Sequence, residues 1–266
     1  MKKLFFILLV GMGINSIVAQ ENNFSEPLIT DRPDATESAT AIPKGMLQIE
    51  TGASYESFEE NRIKKEAFTY NTTLLRYGVI NNLELRVGWN FEEESVHSNG
   101  NQLKDVSSGF SPLLLGFKTT VAQENGWFPE IGFLGHLYLP FMASTDYKPE
   151  TTGADFVFAF SHTLSEKSSL GYNIGAEWEN DSPEIAYIYA ISYGLEITNQ
   201  FGVFAELYGD IPEHNAANHF WDAGVTYLIS NNLQLDALVG SSITKGQELL
   251  ISAGASFRIL TKKHTK

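Results

Sequence analysis

A period of two, repeated along most of the chain, is the feature that most constrains its fold. The clearest instance is Leu74–Phe91, LLRYGVINNLELRVGWNF. Leu75, Tyr77 and Val79 alternate with Leu74, Arg76 and Gly78. After the break Ile80-Asn81-Asn82, Leu83, Leu85, Val87, Trp89 and Phe91 alternate with Glu84, Arg86, Gly88 and Asn90. Such a period puts the two sets on opposite faces of a strand. An Asn-Asn break tolerates the positive φ of a tight turn, so the two runs read as an antiparallel hairpin. A soluble sandwich can carry one hairpin of this kind; repetition to the end of the chain is what separates the alternatives.

From Met46, alternating runs recur through Leu113–Thr119, Ile131–Phe141, Phe156–Phe160, Leu170–Trp178, Ile185–Ile197, Phe201–Leu207, Trp221–Tyr227, Leu233–Val239 and Ile251–Ile259. The reading is twelve strands. Five short turns, near residues 80, 124, 166, 199 and 231, alternate with six longer, more polar loops, at 59–66, 92–105, 143–153, 180–183, 210–218 and 244–247. Short turns on one side and long loops on the other, with an even strand count, are the pattern of an outer-membrane barrel with both termini on the short-turn side. The expected fold is therefore all-β: a transmembrane antiparallel up-and-down β-barrel over residues 46–260, closed so that no edge meets lipid.

Residues 1–19, MKKLFFILLVGMGINSIVA, have two lysines, a short apolar stretch and small residues before Ala19, and read as a secretory signal peptide. Residues 20–45 lack periodicity and carry Asp31, Arg32, Pro33 and Asp34. This segment is expected as a periplasmic arm or plug whose charges meet lumen charges, or as a plain solvated leader to the first strand. Residues 261–266 form a basic tail. With no cysteine there is no disulfide, thiolate nucleophile or cysteine metal site. The net charge of −14 excludes nucleic acid as a partner, since a polyanion would be repelled.

Parity assigns Leu, Ile, Val, Phe, Tyr, Trp and Ala to the lipid face, with Tyr77, Trp89, Trp178, Trp221 and Tyr227 towards strand ends as an aromatic girdle. The other face carries Glu50, Arg76, Glu84, Arg86, Lys118, Glu177, Glu196, Glu206, Asp222, Asp236 and Arg258. Charge facing hydrocarbon costs roughly 2–4 kcal/mol per residue at mid-depth, so this set points into the lumen. There it either filters solutes or pairs internally in a blocked barrel. Leu74, Leu114, Leu134, Ile188, Phe204 and Leu228 share the inward parity, and a mixed lining suits an amphipathic or aromatic solute. Of the histidines, His136 has lumen parity and His162 falls on the apolar face; none stands at HExxH spacing. Ser161 and His162 point oppositely, so no Ser-His pair shares a face. No catalytic, cofactor or metal residue is expected.

Two stretches carry a resemblance. TDRPDATES with IPKGMLQIE, at Thr30–Ser38 and Ile42–Glu50, and NHFWDAGVTYLISNNLQLDALVG, at Asn218–Gly240, resemble the opening and closing sections of the meta-pathway phenol-degradation family of outer-membrane transporters. The resemblance implies an outer-membrane barrel of a Gram-negative bacterium, with no cofactor and no chemistry. Lipid and the barrel-assembly machinery are the implied partners. The matched positions are Asp31, Arg32, Pro33, Asp34, Gly45, Glu50, Asp222, Gly224, Gln234 and Asp236. One departure is the tail RILTKKHTK, which displaces inward, to Phe257, the terminal aromatic of the usual assembly signal. The expectation is a channel for passive passage of small hydrophobic or aromatic solutes, with Asp31, Arg32 and Asp34 pairing with Glu50, Arg76, Arg86, Asp222 or Asp236. The alternatives are a non-transporting surface barrel acting through its loops and, third, an outer-membrane hydrolase.

Overall fold

In the computed structural model, which describes residues 26–103, 105–244 and 246–261, the alternating runs form one antiparallel sheet. The expected leader, residues 1–19, and most of the basic tail lie outside the described residues. The long strands are β1 (Met46–Glu60), β2 (Ile63–Ile80), β3 (Leu83–Ser98), β6 (Leu113–Ala122), β7 (Glu130–Leu139) and β8 (Gly153–Ser165). They continue with β9 (Ser168–Trp178), β10 (Ile185–Glu196), β11 (Phe201–Pro212), β12 (Asn218–Ser230), β13 (Leu233–Ser242) and β14 (Gln247–Leu260). Two short strands, β4 (Asn101–Gln102) and β5 (Ser107–Phe110), lie between β3 and β6. Among the described residues this gives twelve long strands, each bonded to the next. β14 returns to pair with β1, Met46 opposite Leu260, and closes the barrel.

Burial runs opposite to that of a water-soluble protein. Arg76, Glu84 and Lys118 are 0% exposed, whereas Ile174 is 61% and Phe158 43% exposed. Apolar residues outside and charges inside are the arrangement a bilayer requires, because charge is costly in hydrocarbon and exposed apolar surface is not. The barrel is an outer-membrane barrel by this criterion. The outward aromatics also pack on one another across strands, as Phe133 does on Phe158 with ring centroids 4.9 Å apart.

The loop side differs from the sequence expectation in one region. Residues 59–66 are not a loop: β1 runs to Glu60 and β2 starts at Ile63. Only Asn61 and Arg62 turn, both at positive φ (52° and 65°), as a two-residue hairpin turn needs. Likewise β3 continues to Ser98 through part of the expected 92–105 loop. Ladder hydrogen bonds carry these strands past the apolar belt. There both faces meet water, and the hydrophobic alternation that marks a strand disappears although the strand does not.

The interior is not empty. Ala39 of the arm packs with Leu134, Val157 and Ala159 of the wall, with Ile188 against them. Two wall glycines let the arm lie on the sheet. A Cβ on Gly132 would meet the Ala39 carbonyl oxygen at 2.6 Å, and one on Gly78 would collide with the Pro43 carbonyl. The outer face yields a direct test. Ile174→Arg should destabilise the folded barrel by about 2–4 kcal/mol, read as a lower urea midpoint in lipid vesicles; an unchanged midpoint would contradict the lipid-facing assignment.

Candidate functional site

The arm is an irregular segment, so its backbone groups must find partners outside itself. The lumen face of the strands supplies them. The Ile42 N–H donates to Glu84 Oε2 at 2.7 Å and the Ala41 N–H to Thr120 Oγ1 at 2.9 Å. The Glu37 N–H donates to Asn173 Oδ1 at 2.6 Å, and the Ala35 N–H to Glu206 Oε2 at 2.7 Å. The Thr36 hydroxyl donates to the other Glu206 oxygen. At its start the Leu28 N–H reaches the Asn231 carbonyl, 2.9 Å, in a short turn. These partners come from four different strands and one turn, so the arm crosses the lumen on the short-turn side.

Its charges are anchored at two places. Asp31 sits among three cations: Lys118 Nζ at 2.7 Å, Arg76 Nη1 at 2.9 Å and Arg86 Nη2 at 3.3 Å. Arg76 is itself held by Glu50 at 2.7 Å and Glu84 at 2.8 Å. Glu50 also accepts the Asp31 backbone N–H. Arg32 points to another part of the wall, where it meets Asp236 at 3.0 Å and donates to Thr72 and Ser252. Its guanidinium lies over Gly52 and Gly254, positions at which any Cβ would displace it. Adjacent residues thus tie the arm to β2, β3 and β6 through Asp31 and to β2, β13 and β14 through Arg32.

The remaining sequence candidates separate from this network. Asp34 is half-buried beside Ser192 and Glu206, and no cation contacts it among the described residues. Glu206 faces Asp222 as its register partner across β11 and β12. Asp222 is buried and one of its oxygens has no hydrogen-bond partner. Gln234 is buried two residues from Asp236 and bounds the cavity below the arm. Of the expected arm pairings, those to Arg76, Arg86 and Asp236 form as side-chain ion pairs. Glu196, assigned to the lumen by parity, borders the short-turn cavity at the end of β10 and is exposed there.

Sequence reasoning passed over three participants. Glu37 pairs with Arg86 at 2.9 Å and lies 3.3 Å from Lys118. Thr36 and Glu37 had no periodicity to place them. Asp155 is buried on β8, where it faces His136 Nδ1 at 2.9 Å and accepts the Tyr138 hydroxyl at 2.6 Å. Its parity, opposite to Phe156 and Phe158, was a usable signal.

The arm divides the lumen. A cavity of about 460 Å3 lies on the short-turn side, bounded by Leu28, Thr36, Phe204 and the 165–168 turn. Two others, about 310 and 340 Å3, lie on the long-loop side. Arg32 borders the first and second, and Glu37 borders all three. The partition is therefore the arm itself. Among the described residues no group of His, Asp or Glu is arranged to hold a metal ion. If the wall glycines seat the arm, Gly132→Val should leave the barrel folded and heat-modifiable while exposing the arm to protease; a protected arm would contradict the fit.

A family model described as "Putative MetA-pathway of phenol degradation" matches residues 30–259. No curated protein sequence matches the chain. Among solved structures, an outer membrane channel from Pseudomonas putida F1 has a TM-score of 0.62 at 13% identity, covering 87% of this chain and 100% of that one. The translocator domain of the autotransporter NalP from Neisseria meningitidis has a TM-score of 0.52 at 8% identity, covering 97% of this chain and 98% of that one. At these identities the likeness is one of fold.

Proposed function

The chain belongs to the MetA-pathway of phenol degradation family, and from that premise we propose that it is an outer-membrane channel for small hydrophobic or aromatic solutes, with residues 26–45 as its gate. One observation carries the proposal: an arm pinned by Asp31 and Arg32 separates cavities on its two sides. A filled structural barrel has no need of a separable segment inside it, whereas a channel that must stay closed to bulk solutes does.

On this reading a solute enters from the loop side into a vestibule with both apolar and polar walls, Leu114, Val157 and Phe220 beside Tyr138 and Asn173. Passage onward needs the arm to shift. The ion pairs make that shift a discrete step. Removing one partner of a buried pair costs about 3–5 kcal/mol because a charge is stranded in a dry site. Moving the whole arm, by contrast, admits water to both partners and offsets much of that cost. Flow is passive and follows the solute gradient.

A second reading has its own support. β1, β2 and β3 are 15, 18 and 16 residues long, more than a tilted crossing of about 9–11 residues requires. They project on the loop side with Glu59, Glu60 and Glu92–Glu94, a surface suited to a partner. Shortening this hairpin should spare solute uptake if the barrel is a channel; if it is a non-transporting adhesive surface, partner binding is lost and no solute uptake is seen with or without the hairpin.

The gate is tested by the double variant Asp31→Ala/Arg32→Ala in liposomes. Leak of small solutes should rise well above wild type; unchanged permeability would sink the gate. The channel reading itself falls if wild-type protein takes up no toluene above empty liposomes.

A further inference from the structure

The loop-side cavity of about 340 Å3 contains a polar device that a passage for plain hydrocarbons does not need. His136, on β7, is 6% exposed and lines this cavity. Its Nδ1 faces Asp155 Oδ1 at 2.9 Å, and the Tyr138 hydroxyl donates to the other Asp155 oxygen at 2.6 Å. A carboxylate only accepts, so Nδ1 carries the proton of that hydrogen bond. The imidazole is thereby fixed in orientation and tautomer, as a second group on the far nitrogen fixes a functional histidine elsewhere. The ring is also held in place from behind. It lies against Gly116 of β6, where a Cβ would meet the His136 ring and the Gly135 carbonyl.

The other nitrogen, Nε2, is buried and has no hydrogen-bond partner. A buried N–H without a partner is costlier than a bare acceptor lone pair. In the neutral tautomer that this hydrogen bond fixes, Nε2 is an acceptor without a partner. The cavity walls set the rest of the ligand's chemistry. Leu114, Val157, Ile188 and Phe220 give an apolar enclosure, and its volume exceeds the roughly 150 Å3 that suffices for benzene. Asp155, Glu177 and Asp210 also line it, and Glu177 is the register partner of Asp155. An anion entering here would meet carboxylates on three strands.

We propose that this cavity is a binding subsite for an uncharged single-ring aromatic that carries a hydrogen-bond donor, its O–H or N–H donating to His136 Nε2. The subsite rests on the channel reading for its role in transport, and names which aromatic solutes that channel would hold. It selects against two neighbours of such a ligand. A ring with no donor leaves Nε2 unpaired, and a ring bearing a carboxylate is repelled by Asp155, Glu177 and Asp210. Asp155 and Tyr138 are positioning residues; they act through His136.

The experiment is equilibrium binding to the full-length refolded protein in detergent micelles, with phenol, aniline, anisole, toluene and benzoate as probes. Phenol and aniline should bind about two- to tenfold more tightly than anisole, which has the oxygen but no donor, and than toluene. Benzoate should bind most weakly. His136→Phe should bring phenol and anisole to equal affinity while toluene keeps its own. If that variant does not fold, Ile188→Trp, which fills the cavity without touching the polar triad, should abolish phenol binding. Phenol no tighter than anisole or toluene in the wild type, a phenol preference that survives His136→Phe, benzoate binding as well as phenol, or phenol binding retained by Ile188→Trp would each overturn the subsite. Liposome uptake of phenol and toluene without discrimination would leave the channel standing and remove the subsite. Discriminating binding without uptake of any probe would do the reverse.

Discussion

Arg76, Arg86 and Lys118 are buried inside a barrel whose outer face is apolar, and Asp31 is the carboxylate that touches all three. Each of these cations has left bulk water, at an effective cost of several kcal/mol per ion. In a water-soluble core such a set would be hard to sustain. Here the alternative is worse, because the outward position on the same strand faces hydrocarbon. The period of two allows only those two choices, so the charges go in and must be compensated there. Glu50, Glu84 and Glu37 supply part of the compensation, and the arm supplies Asp31. The arm's place in the lumen depends on this exchange: it brings a carboxylate to the cations and takes hydrogen bonds for its own backbone from the wall.

That exchange also explains why the arm can lie close to the sheet without strand geometry of its own. Gly78 and Gly132 remove side chains where Pro43 and Ala39 approach, and Gly52 with Gly254 make a flat bed for the Arg32 guanidinium. The wall therefore carries charge where it binds the arm's charge and no side chain where it meets the arm's backbone or the guanidinium plane. Above the partition the lining changes character, to Leu114, Val157, Tyr138 and Phe220 around the His136–Asp155 pair. Two chemistries are thus stacked along one lumen: a closed ionic layer towards the short turns and a mixed aromatic vestibule towards the loops.

How far the sequence was readable varied with what each stretch faces. Between Leu74 and Phe91, where one face meets lipid and the other the lumen, alternation gave the strands, the turn and the direction of Arg76, Glu84 and Arg86 together. Beyond the apolar belt the same hairpin became illegible. Residues 59–60, 63–66 and 92–98 are paired strand, yet water on both faces erases the hydrophobic signal. Glu196 keeps its lumen parity, but at a strand's short-turn end the lumen itself opens to solvent. Thr36 and Glu37 were not placed because an arm without a period offers no face to assign.

By itself the sequence determined the closed antiparallel barrel, its strand count and the inward direction of Glu50, Arg76, Glu84, Arg86, Lys118, Glu206, Asp222 and Asp236. It could do so because lipid permits only one direction for a charge on a period-two strand. Which charges meet was decided by the tertiary structure alone. Asp31 and Lys118 are 87 residues apart in sequence, and Arg32 and Asp236 are 204 apart. Barrel closure, strand stagger and the path of an irregular arm bring those pairs together. None of the three leaves a local pattern, because each is a relation between distant parts of the chain.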